Sequence, residues 1–425
     1  MTVEHEHIAD LGAFVAASPS SYHAAAEVAG RLVRAGFSER AETDPWSSAP
    51  GGHLVRRDGA VIAYWLPAEL TDQPQLRIVG AHTDSPGFKL KPRPERRSAG
   101  WRQVGWEVYG GPLLNSWLDR ELGLAGRLVT TDGQVQLVRT GPWLRIPQLA
   151  VHLDRSVNEQ LHLDKQAHMT PVYGLDGPDA PDLMSALAAE AGCAVDDIAG
   201  HDLFAYDPQP GQVIGLSGEL FASGRLDNLS SVQAGLTALL GAERPAGQIA
   251  ILACFDHEEV GSASRSGAQG PFLEQVLRRL AGGLGWSADD LARCLARSWL
   301  ISADAGHAVH PNYPERHDPD HRPVVNRGPL LKVNANQRYT TDALGSALWR
   351  RLHQACGLTE PPPVFVSNNA VPCGSTIGPL AATRLGLATL DVGVPLLSMH
   401  SARELAGLRD PYRLAQLLTA FYSGA

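Results

Sequence analysis

Five short segments of this 425-residue chain carry side chains that can hold a cation or move a proton: His82-Thr83-Asp84, Arg225-Leu226-Asp227-Asn228, Asp256-His257-Glu258-Glu259, Asp304 and His400. In an extended segment, residues two apart project to one face, so His82 can ligate a metal while Asp84 orients its ring from behind. A surface loop would read the same way. Consecutive acidic residues at a buried strand end repel one another and lose hydration, costs that a nearby dication offsets. One glutamate of such a pair can ligate while its neighbour takes a proton from a bound water, whose pKa zinc brings to about 7. The alternative is an exposed acidic turn, which the preceding apolar Ile-Leu-Ala-Cys-Phe disfavours. A dinuclear site also needs a bridging carboxylate, and an aspartate in a loop before a helix is short and rigid enough for that. Singly, Asp227 could be a helix cap, Asp304 a turn residue and His400 a satisfied buried histidine. Together they form an oxygen and nitrogen donor set without cysteine, which suits zinc, manganese or cobalt at a catalytic site rather than structural zinc.

The elements that must position these residues are legible in outline. QLRIVGAHTDSPG contains an apolar run ending at Gly80, a buried strand emptying into a polar loop. QIAILACF runs into DHEEVGS and WLISA into DAGHAVH, while LATLDVGV leads through Pro395 to SMHS. In open α/β sheets, ligands bind beyond the carboxyl ends of the strands, so this order places the polar clusters on one rim. Helical faces are predicted for Ile8, Leu11, Phe14 and Val15. A second helix, capped by Ser20 or Ser21, would carry Val28, Leu32 and Val33 up to Gly36, and a third would present Val232, Leu236, Leu239 and Leu240. The last helix would begin with Asp410 as cap and Pro411 in its first turn, and bury Leu414, Leu417, Leu418 and Phe421. From about Lys89 to Gly215, prolines, glycines and short Val, Leu and Trp runs predict an inserted β-rich domain. The expected division is a discontinuous catalytic domain, residues 1–90 and 216–425, around an insertion at 91–215.

The length exceeds what one core usually supports, and 44% apolar with 19% charged residues is globular composition. A formal net charge of −9 excludes a basic footprint for nucleic acid or an anionic membrane. Five dispersed cysteines without a CxxC pair indicate neither a disulfide framework nor a thiolate zinc site. The acidic N-terminal stretch lacks the pattern of a secretory signal, and no window approaches the ~18 apolar residues of a membrane span. A cytoplasmic location is the expectation.

In this setting the chain resembles the aspartyl aminopeptidases, dinuclear zinc exopeptidases that form tetrahedral dodecamers. The matching segments run in order over nearly the whole chain: SPSSYHAAAEVAGRL, AHTDSPGFKLKP, QVGWEVYGGPLLNSWLDRELGLAGR, SGRLDNLSS, DHEEVGS, SADAGHAVHPNYPERH, LKVNANQRY, PCGSTIGP and SMHSARE. The resemblance implies a central mixed sheet flanked by helices, of zinc exopeptidase type, with an inserted β-rich oligomerisation or lid domain. It implies two zinc ions per subunit, replaceable by cobalt or manganese. Asp227 would bridge them, His82 and Asp304 would complete one site, and Glu259 and His400 the other. A water bridging the zinc ions would be activated by Glu258, and a single N-terminal residue, Asp or Glu, would be removed from a peptide; Asp84, as the group that orients His82, is counted with Glu258 among the catalytic residues. The resemblance further implies that Lys332 attracts the acidic side chain and that His152 reaches a neighbouring subunit's site in a homododecamer. One segment departs: relatives commonly carry Arg-x-Asp-x before PCGSTIGP, where this chain has Asn368-Asn369-Ala370-Val371. Two other functions fit parts of the pattern, a metal-dependent deacylase of small N-acyl compounds and an inactive shell particle. His307, His310, His317 and His321 are read as packing, helix-end or substrate-contact residues.

Overall fold

The computed structural model describes residues 2–425. The chain forms two compact units. One comprises the chain up to Asp84, Gly211–Met399 and Glu404–Ala425; the other is Ser85–Pro210 with His400–Arg403. The borders expected near 90 and 215 thus fall after Asp84 and after Pro210. The tetrapeptide His400–Arg403 joins the second unit, which no linear reading of the chain separates.

The first unit is built on a nine-stranded mixed sheet in the order 38–39, 51–57, 60–66, 248–255, 75–82, 299–303, 388–393, 330–333, 364–366. The four middle strands, Gln248–Phe255, Gln75–His82, Trp299–Ala303 and Ala388–Gly393, are mutually parallel. They are buried along nearly their whole length. Strands covered on both faces read as continuous apolar runs, which is why QIAILACF and WLISA were recognisable as such. On one face Val3–Ala17, Ser21–Arg34, Leu226–Gly241, Ala343–Ala355 and Asp410–Tyr422 bury Phe14, Leu32, Leu229, Trp349 and Phe421. On the other, Phe272–Gly283, Ala288–Arg297 and Ile377–Leu385 bury Phe272, Leu277 and Ile377 against Phe255 and Leu300. The result is the expected central mixed sheet flanked by helices on both faces.

Several local expectations change. The strand beginning at Gln75 continues past Gly80 to His82, so that His82 is itself a strand residue paired with Phe255. Val33 is 49% exposed at the end of the second helix, and Leu240 lies at the exposed edge of its helix. Asp410 does not cap the last helix. Its carboxylate accepts from the amides of Asn326 (2.6 Å) and Gly328 (2.8 Å), tying a distant loop to the helix start. Burial pushes this carboxyl up to about 7 against those two bonds.

In the second unit a six-stranded antiparallel sheet runs in the order 135–139, 123–130, 198–206, 87–98, 101–109, 172–175. Phe88 anchors its core, stacked on Trp106 with centroids 4.5 Å apart and edge-on to Trp117 at 5.3 Å.

Candidate metal centre

Parallel registry puts the polar segments on one rim of the first unit. His82 pairs with Phe255, Ser302 with Gly80 and Ala303 with Val392. Asp256 and Asp304, the next residues along, therefore leave the sheet beside His82 at the carboxyl ends of adjacent strands. The Asp304 amide donates to the Val392 carbonyl at 2.9 Å. Strand Ala388–Gly393 passes so close that a Cβ on Gly393 would lie 1.7 Å from the Asp304 carbonyl oxygen. Only glycine fits there.

His82 is 1% exposed. Its Nδ1 lies 3.1 Å from the Asp84 carbonyl, which assigns that nitrogen as the donor and leaves the lone pair on Nε2. Nε2 faces Asp227 Oδ1 at 3.3 Å, Asp304 Oδ1 at 3.5 Å and Glu258 Oε2 at 4.0 Å. Burial opposes charge on the ring, yet the carboxylates of Asp227, Asp304 and Asp84 outweigh it and hold the imidazole well above its ordinary range.

Asp84 does more than orient this ring. Its carboxylate is 3.4 Å from His82 Nδ1, farther than its own carbonyl. The two carboxylate oxygens instead accept from the amides of Glu258 (3.0 Å) and Glu259 (3.1 Å). One residue thus ties the His82 strand to the turn that bears both glutamates. That turn starts at His257, whose φ of 62° is in the left-handed region, and ends at Gly261 at 95°. The His257 ring is anchored on Ser264 Oγ at 2.9 Å.

Asp227 precedes the regular part of its helix. Arg225 is left-handed (φ 56°), and Asp227 and Asn228, joined by a cis peptide, are both non-helical. The Asp227 amide donates to Glu404 Oε2 at 2.9 Å, and Asn228 Nδ2 donates to the Ala303 carbonyl at 2.9 Å. Buried Glu404 and Asn228 were missed as site residues. The signal was present, since both lie inside the quoted motifs SMHSARE and SGRLDNLSS. Lys332 is 2% exposed; its Nζ donates to the Ala305 carbonyl at 2.6 Å and lies 3.8 Å from Asp304 Oδ2.

Two groups of ligand atoms lie within 4.8 Å of one another in this unit: His82, Asp227 and Asp304, and His82, Glu258 and Glu259. In the second unit His400 has φ 67° and its Nδ1 donates to the Gly111 carbonyl at 3.0 Å, which places the ring's lone pair on Nε2. His152 lies in an exposed turn of the same unit.

A model of the aminopeptidase I zinc metalloprotease family (M18) matches residues 14–422. The chain belongs to the M18 family. It is 51% identical over 424 residues to a probable M18 family aminopeptidase 2 of Streptomyces coelicolor, covering 98% of this chain and 97% of the relative. To the protein of the same description from Mycobacterium leprae it is 45% identical over 422 residues, covering 98% of each. Among solved structures it matches a chain of the Ape4 and Nbr1 complex with TM-score 0.95 at 35% identity, covering 99% of this chain and 86% of that one. It matches the S. cerevesiae mApe1 dodecamer with TM-score 0.84 at 27% identity, covering 98% and 96%.

The M18 assignment implies zinc, and the residues of this chain fit it. Asp84, Asp227, Glu258, Glu259 and Asp304 converge around His82, with Lys332 beside Asp304. Burial pushes the Glu258 carboxyl up to about 8; His82 pulls it down, while Asp304, Asp227 and Asp84 add to the rise. A dication among these oxygens reverses that sum, and an imidazole Nε2 with carboxylates is a donor set that zinc accepts. This M18 chain is a metal-dependent aminopeptidase.

Proposed function

We propose that the chain removes a single N-terminal residue, Asp or Glu, from peptides at a centre of two zinc ions, for which cobalt or manganese can substitute. Asp227 would bridge the ions, His82 and Asp304 would complete one site, and Glu259 and His400 the other. Bound zinc supplies a Lewis acid for the scissile carbonyl and a lowered pKa for the attacking water. Glu258 takes the proton from that water and returns one to the leaving amine. Asp84 holds the Glu258 amide, so the base keeps its place while its carboxylate exchanges protons. Lys332 attracts the acidic side chain from beside Asp304.

The observation that carries this reading is the Asp84 junction. One carboxylate spans the amides of Glu258 and Glu259 while the carbonyl of the same residue holds the ring of His82. Ligand and base are therefore built as one unit. Glu258→Gln keeps the shape and hydrogen-bonding capacity of the side chain but cannot accept the proton. We expect it to retain zinc by elemental analysis and lose about 10²-fold or more in kcat; near-wild-type turnover would sink the assignment. Release assays on aminoacyl anilides and their N-acetyl analogues separate an aminopeptidase, which needs the free amine, from a deacylase.

The S. cerevesiae mApe1 neighbour is a dodecamer. By similarity we assign this chain to a tetrahedral homododecamer, with the insertion mediating assembly and exposed His152 reaching a neighbour's centre. The cysteines are all free, which suits a reducing cytoplasmic setting.

A further inference from the structure

A cavity of about 250 Å³ in the first unit adjoins the metal centre. Tyr339 forms part of its wall, and the Tyr339 ring carries Lys332 Nζ 5.3 Å from its centroid, with Lys332 in turn 3.8 Å from Asp304. Lys332 itself does not line the cavity. The polar lining includes His307, His310, Arg316, His317 and Asn368, with hydroxyl groups of Ser367 and Ser398 beside them, and no aspartate or glutamate is among the described lining residues. In a chain of net charge −9, that absence marks a local preference for an anion.

Local hydrogen bonds sharpen the preference. His317 Nε2 accepts from the His310 amide at 3.0 Å, and His310 Nδ1 accepts from the Asn312 amide at 3.2 Å. The ring protons are thereby assigned to His317 Nδ1 and His310 Nε2, so both neutral rings are donors. Asn368 Nδ2 donates to the carbonyls of Glu315 (3.1 Å) and His317 (3.3 Å), bracketing Arg316 from both sides. The Arg316 side chain is 74% exposed, and its pair with equally open Glu315 is long at 3.9 Å. The guanidinium therefore stands on the solvent side of the cavity.

An exopeptidase must hold the first residue at the closed end and let the remainder extend toward solvent. Resting on the aminopeptidase reading above, we infer that this cavity receives the part of the substrate behind the scissile bond and selects a carboxylate there, read by Arg316. That carboxylate is either the free C-terminus of a dipeptide or the side chain of an acidic second residue. Lys332 and Arg316 then act on two different anionic groups of one substrate.

The test uses the zinc-loaded enzyme and peptides beginning with X, the residue that the wild type releases fastest from anilides. X-Ala is compared with X-Ala-NH2, and X-Glu-NH2 with X-Gln-NH2. We expect the charged member of at least one pair to be favoured about threefold to tenfold in kcat/KM, through KM, as suits an exposed ion pair. Preference in the first pair alone identifies the C-terminus, and in the second alone the side chain. Arg316→Lys keeps the preference, and Arg316→Glu inverts it, a sign change that general damage to the fold does not produce. Ratios near one in both wild-type pairs, or a ratio unmoved by Arg316→Glu, overturn the inference while the aminopeptidase reading stands. No release from any of the peptides overturns both.

Discussion

Asp84 illustrates how much one side chain can coordinate. Its carbonyl sets the tautomer of His82, and its carboxylate holds two consecutive amides of the glutamate turn. Asp84→Asn leaves one oxygen to accept and turns an NH2 group toward the other amide, a donor facing a donor. Loss of outer partners of this kind typically costs about 10-fold to 100-fold in metal affinity or activity. We expect that range for zinc in competition with a chromophoric chelator, and an unchanged affinity would assign Asp84 no part in shaping the centre. His82, the paired glutamates and Asp304 could be singled out from residue type and from the apolar runs before them. Glu404 was legible only as a member of the motif SMHSARE, because its role depends on meeting the Asp227 amide across 177 residues of chain.

At the level of elements, parallel registry does most of the positioning, and the flanking helices hold the sheet in place. His7 gives the first of these helices a pH dependence. It is buried, edge-on to Tyr412 with centroids 5.7 Å apart, and burial drags its pKa from 6.5 down to about 4 despite the nearby Asp10 carboxylate. The folded pKa lies below the unfolded one, so protons favour the unfolded chain. The stability concerned is complete above about 6.5 and is lost as pH falls toward about 4. The shift corresponds to roughly 3 kcal/mol at the acid end. His7→Phe removes this proton linkage, so its Tm should fall less than that of the wild type between pH ~7 and ~5; parallel decline of the two would refute the assignment. The helix itself was readable from Ile8, Leu11, Phe14 and Val15, but the burial of His7 depends on packing against the last helix.

For the whole molecule, the cost of gathering buried carboxylates on one rim makes the fold dependent on its cation. Removing zinc with a chelator should lower Tm by several degrees, and re-adding zinc should restore it, since a ligand at 1,000 times its Kd stabilises by about 4 kcal/mol. A Tm indifferent to chelation would mean that the protein's own side chains neutralise the cluster. Light scattering of the loaded protein reports the assembly, for which a dodecamer is expected and a monomer would leave His152 without a neighbour to reach.

Residue types and hydrophobic runs determined the class of chemistry, because strand periodicity and the donor preferences of zinc are local properties of the chain. The ordered motifs determined the family for the same reason. Only the tertiary structure decided which contacts the ligands make. His82 proved to end its strand rather than follow it, Asp84 to clamp amides more closely than a ring, Asp410 to tie a loop rather than cap a helix, and His400 to fold with the insertion. Each of these depends on partners far away in sequence, and a side chain with several hydrogen-bonding options chooses among them only once packing has brought those partners within reach.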